Sequence, residues 1–118
     1  MGTTTEQLEA MVSDLMMAAI ALNASENHDT LSEWLNDAAL DVQVSARWSL
    51  MVDEPRAMTD REVHVLITLG GPNVWVIADD NECVRVEGYW GSDQCVERRV
   101  LPWLANSLQE YADAFMGE

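Results

Sequence analysis

The chain has 118 residues, 48% of them apolar, and only six glycines and three prolines, which excludes a disordered or low-complexity segment. That length suits one domain, able to bury roughly two-thirds of the surface its unfolded form exposes. Twenty-one acidic residues stand against six basic ones, all arginine, for a formal charge of −15. Such a charge excludes direct binding to a nucleic-acid backbone or an anionic lipid surface, both of which need clustered Lys or Arg.

The first segment reads as a helix over residues 4–22. Thr3-x-x-Glu6 fits a capping box, and Leu8, Met11, Val12, Leu15, Ala19 and Leu22 recur at helical spacing. Asn23-Ala24-Ser25-Glu26-Asn27 ends it. A second capping box at Thr30-x-x-Glu33 opens a short helix carrying Leu31, Trp34, Leu35 and Ala38 on one side. No apolar run approaches ~18 residues, so no membrane span is expected. No basic region or apolar signal core follows Met1, and the expected location is the cytoplasm of a host cell.

The period then changes from helical to alternating. Leu40, Val42, Val44, Ala46, Trp48, Leu50 and Val52 alternate with more polar residues and predict a long half-buried strand. Asp53-Glu54-Pro55-Arg56 breaks it, because proline cannot donate to a ladder. A second strand runs over residues 62–69, with Val63, Val65, Ile67 and Leu69 on one face. Gly70-Gly71-Pro72-Asn73 is the strongest turn signal. A third strand covers 74–77 and, after Asp79-Asp80-Asn81-Glu82, a fourth covers 83–90. Connections this short join antiparallel neighbours. Pro102 suits a first helical turn, and Leu101, Leu104, Leu108, Tyr111 and Phe115 form the stripe of a last helix over 103–115. The expected fold is a single α+β domain over 1–118: a four-stranded antiparallel meander with two N-terminal helices and one C-terminal helix.

Two segments are distinctive: Gly70-Gly71-Pro72-Asn73-Val74-Trp75-Val76, and Val86-Glu87-Gly88-Tyr89-Trp90-Gly91-Ser92-Asp93. Here the sequence resembles small proteins of phages and other mobile elements that carry G-G-P-N-[IV]-W followed by G-Y-W-G-[SD]. They share a Leu-Asp-Val-like strand opening, here Leu40-Asp41-Val42. The resemblance covers about Trp34 to Phe115 and departs at the Asp79-Asp80 turn and at the long Arg47–Arg61 connection. It implies a mobile-element origin and carries no biochemical role with it.

Catalytic patterns are thin. A glycine-rich phosphate loop needs a following helix and usually a lysine, whereas here a strand follows and no lysine exists. His64 could meet Cys83 or Cys95 across the sheet, but a single strand histidine is more often a surface residue. Two cysteines, Cys83 and Cys95, match no metal or redox spacing and are expected reduced. Asp79-Asp80-Asn81-Glu82 lacks the glycine and further ligands of a calcium loop, and zinc lacks ligands at any usual spacing. The expectation is therefore no enzyme, no cofactor and no metal.

The aromatics divide. Trp34, Trp48 and Trp103 sit on apolar stripes and are expected in the core, while Trp75, Tyr89 and Trp90 are candidate contact residues on a face of the sheet left to water, the alternative being that the N-terminal helix covers that face. With the turn carboxylates Asp79, Asp80, Glu82 and Asp93 they form the predicted partner-binding set. The expected function is that of a non-enzymatic acidic mobile-element protein. It binds and blocks a basic host protein that handles nucleic acid, an anti-CRISPR or related anti-defence inhibitor acting as a nucleic-acid mimic. The competing expectation is a self-associating structural or regulatory module, a homodimer for instance, whose acidity serves solubility only.

Overall fold

In a computed structural model the described residues are 3–48 and 58–116. The chain folds as α1 (Thr3–Ser25), α2 (His28–Ala38), β1 (Asp41–Trp48), β2 (Met58–Thr68), β3 (Asn73–Asp79), β4 (Cys83–Trp90), β5 (Asp93–Val100) and α3 (Pro102–Met116). The strands form one antiparallel sheet in the order β1-β2-β3-β4-β5. The α+β class and the antiparallel sheet are as the periodicity predicts, but the sheet has five strands where four were expected. Residues 49–52 of the expected first strand, and the Asp53–Arg56 break, lie outside the described residues.

The added strand is β5. Its sequence, Asp-Gln-Cys-Val-Glu-Arg-Arg-Val, is charged on both faces because it lies at the sheet's edge, so it lacks the alternation that marks a half-buried strand. Trp90 pairs with Asp93, leaving a two-residue loop whose first residue, Gly91, has φ 62. That loop length and glycine position suit a tight hairpin turn.

One face of the sheet carries Val63, Val65, Val74, Val76, Ala78, Val84 and Val86, all buried under the helices. α1 lies over β4 and β5, and α3 over β2 and β3. α1 contributes Leu8, Val12, Met16, Ala19 and Leu22, and α3 contributes Leu104, Ala105, Leu108 and Ala112. By length and composition Thr5–Ser25 would also serve as a membrane span, which a count of consecutive apolar residues misses. Only 28% of that window is buried, by the stripe Leu8, Val12, Met16, Ala19 and Leu22, and Met17 and Ile20 are exposed. A bulge at Leu66/Thr68 shifts the register of β2 on β3, and Leu69, expected on the inner face, is 69% exposed beyond it.

Local polar contacts fix how the helices start and stop. α1 ends where Glu26 turns left-handed (φ 49) and the Ser25 hydroxyl donates to Leu22 O at 2.8 Å. α2 begins three residues before its expected capping box: Asn27 is the cap, and its Oδ1 accepts from Thr30 N at 3.0 Å. Asparagine caps at least as well as threonine, and capping at Asn27 lets His28 and Asp29 fill the first turn. We expect Asn27→Ala to cost about 1 kcal/mol in a denaturant titration, whereas Thr30→Ala should cost far less. The start of α3 is held from afar, with Leu104 N donating to Asn23 Oδ1 of α1 at 3.0 Å. Gln109 of α3 donates to the carbonyls of Ala78 and Arg61, pinning the helix to the ends of β3 and β2.

Candidate interaction surfaces

Alternation and register put Glu62, His64 and Leu66 of β2, Trp75 and Ile77 of β3, Arg85, Glu87 and Tyr89 of β4, and Val96 and Arg98 of β5 on the face away from the helices. Arg85 is its hub. Its Nη1 and Nη2 donate to Glu62 Oε2 and Oε1 at 2.8 and 3.1 Å, and its Nε donates to Glu87. Glu62 stands on β2 and Arg85 on β4, so the pair bridges β3 between them. Ile77, directly beside Arg85 in the register, is 1% exposed beneath that bridge. Tyr89 OH donates to Glu87 Oε1 at 2.7 Å, His64 Nε2 lies 3.2 Å from Glu62 Oε1, and the Trp75 ring stands edge-on to His64.

The Arg85 hydrogen bonds hold the Glu62 carboxyl below its ordinary range, against the opposing effect of burial. Hydrogen bonding to Glu87, and then burial, pushes the Tyr89 phenol up. A general acid or base working near neutrality needs the opposite shift in its carboxylate. This network is a charged lid over Ile77, suited to rigidity and not to proton transfer.

The predicted site residues scatter. Trp75 and Tyr89 do lie on the open face, half-buried. Trp90 does not: it follows Val84, Val86 and Gly88 in parity and packs against the core below the helices. Asp79, Asp80 and Glu82 lie at the β3–β4 turn, but Asp93 lies at the other end of β4, roughly 23 Å away along a strand of this length. Asp79 is mostly buried, and its Oδ1 accepts from Asn81 N and Cys83 N at 2.9 and 3.0 Å while Arg98 approaches Oδ2. It builds the turn. Asp93 accepts from the Thr5 hydroxyl at 2.8 Å and ties α1 to the β4–β5 turn. Asp80 accepts from Arg61 N at 3.3 Å, which leaves Glu82 as the fully outward carboxylate of the four.

Cys95 lies on the helix side of β5 and His64 on the open side of β2, so they do not meet. Burial, with Glu9 and Glu97 nearby, pushes the Cys95 thiol up and away from nucleophilic use.

The surplus acidity sits elsewhere. Among the described side chains the arginines are engaged within the chain: Arg61 with Asp113 at 2.7 Å, Arg85 with Glu62 and Glu87, Arg98 with Asp79 at 3.5 Å, Arg99 with Glu97 at 3.9 Å. Glu6, Glu9 and Asp14 of α1, Asp29, Glu33 and Asp37 of α2, and Glu110 of α3 are exposed on the helical layer. On α2 the three carboxylates stand four residues apart, in one row with steps of about 6 Å. Like charges at that spacing weaken a helix, and Asp37 in the last turn opposes the macrodipole. Asp29, in the first turn, suits the macrodipole, so the unfavourable end of the row is Glu33 and Asp37. The row was visible in the sequence as a spacing of four but not as adjacent acidic pairs.

No protein-family model, no curated protein and no solved structure matches the chain.

Proposed function

We propose that the protein is a non-enzymatic binding protein whose acidic helical face docks in a basic, nucleic-acid-binding groove of a partner and excludes the nucleic acid. The observation that carries this reading is the row Asp29-Glu33-Asp37, exposed, unneutralised by the described arginines, and ending in Asp37 against the dipole of its own helix. Carboxylates about 6 Å apart along a rigid rod stand in for a run of phosphates. The resemblance to mobile-element proteins makes a host defence protein, a CRISPR effector for example, the first partner to test.

The experiment is affinity capture from a host lysate, followed by association kinetics with the captured protein and competition by duplex DNA. Duplex DNA should displace the protein, and rising salt should slow association steeply, since exposed charges are screened beyond about 8 Å at physiological ionic strength. Asp29→Asn/Glu33→Gln/Asp37→Asn together should slow association about tenfold while leaving thermal stability unchanged or raised. Asp80→Asn/Glu82→Gln should change it much less. Association indifferent to salt and to the α2 row would assign the acidity to solubility alone, and direct binding of the isolated protein to duplex DNA would refute the mimic outright.

A further inference from the structure

We propose that β5 is a self-association edge, pairing antiparallel with β5 of a second copy about a two-fold axis through Arg98. β5 ends the strand order, and no described strand pairs with its outer side. Leu101 N donates to Glu82 O on the β4 side, so Glu97 and Arg99 also turn their backbone groups towards β4. Gln94, Val96, Arg98 and Val100 turn theirs outward, which is the bare edge that strand addition uses.

Directly opposed residues in an antiparallel pair share a face, so a two-fold axis must pass through a residue of β5. An axis at Val96 leaves Val100 beyond the paired segment and sets Glu97 against the partner's Cys95. An axis at Glu97 opposes two like carboxylates and sets each Val96 against the partner's Arg98. An axis at Arg98 sets Val96 against the partner's Val100 and Glu97 against the partner's Arg99, each twice by symmetry. Both cross-strand combinations are favourable ones. That register also opposes the two Arg98 side chains, and Asp79 of each one's own chain, 3.5 Å away, offsets their like charge.

Two further observations select a second copy as the occupant. Arg98-Arg99 is the only adjacent pair of cations in a chain of charge −15, so this is where two such molecules repel each other least. Of the exposed large apolar side chains, Val96 at 45% and Val100 at 67% lie on β5, and Met17 and Ile20 lie on α1, which packs over β4 and β5. The surface does not include the α2 row, and the inference stands apart from the reading above.

The test is sedimentation equilibrium of the full chain at about 0.15 M salt, with register mapped by single cysteines in a Cys83→Ser/Cys95→Ser background. Under mild oxidation Arg98→Cys should cross-link to itself, since hydrogen-bonded antiparallel pairs hold their Cα atoms about 5.5 Å apart, within disulfide range. Val96→Cys and Glu97→Cys should not, but Val96→Cys should cross-link to Val100→Cys when the two are mixed. Glu97→Arg or Arg99→Glu alone should weaken the dimer about tenfold, and the two together should restore it, with thermal melts verifying folding in each case. A monomer at high micromolar concentration would overturn the proposal. So would self-cross-linking of Val96→Cys in preference to Arg98→Cys, or a dimer insensitive to both charge reversals.

Discussion

Replacing Gly88 with valine should lower the free energy of unfolding by about 2–3 kcal/mol and the melting temperature by about 10 °C. A Cβ at Gly88 would stand 2.7 Å from Leu8 Cδ1 and 2.9 Å from Val12 Cγ2, closer than nonbonded carbons tolerate. Both side chains are fully buried, so neither can withdraw into solvent. The seat of α1 on β4 thus depends on a missing side chain at one strand position. Alanine, which the end of Leu8 can partly evade, should cost about 1 kcal/mol. Gly70 and Gly91 provide the contrast: a Cβ there meets nothing within 4 Å, but φ values of 108 and 62 make any substitution a matter of backbone strain. Urea unfolding of the Gly88 variants checks this, and a Gly88→Val protein as stable as the parent would mean that α1 is not packed against β4 as described.

What could be read from the sequence was what the core dictates. Leu8, Val12 and Leu22 of α1, Leu104 and Leu108 of α3, and the alternating valines of β2 to β4 carry the periodicity because they share one buried layer. β5 could not be read in that way, because an edge strand bearing Glu97, Arg98 and Arg99 answers to water and to strand pairing more than to burial. The cap of α3 was equally silent: its acceptor, Asn23, stands 81 residues earlier. For the candidate surface, parity alone places Trp75 and Tyr89 on the open face and turns Trp90 inward. The glycines near Trp90, Gly88 and Gly91, describe the turn and not the direction of the ring. Asp79 illustrates the same limit, since a turn carboxylate can either face water or satisfy the turn's own N–H groups, and only the folded geometry shows the second.

Arg85→Ala should cost about 2 kcal/mol at neutral pH, less than the ~3–5 typical of breaking a fully buried ion pair because this face remains open to water. The arginine is the common partner of Glu62 and Glu87, and its removal leaves those carboxylates facing each other while uncovering Ile77. The pH dependence separates the two losses. Glu62 titrates below its ordinary value of 4.5 in the native protein, so its pairing stabilises the fold above that value and is lost as the pH falls through the lowered one. Without Arg85 the largest cause of that lowering is gone, and His64 alone remains to oppose burial. The stability deficit of the variant should therefore be widest near neutrality and narrow as the pH drops below about 4.5, leaving at low pH only the cost of exposing Ile77. Glu62→Gln should flatten the same acid limb at smaller cost, because Arg85 keeps Glu87. Denaturant titrations of the three proteins between neutral and acid pH measure all of this. A deficit that stayed constant over that range would mean that Arg85 acts on the open face through the packing of its stem over Ile77 and not through its charge.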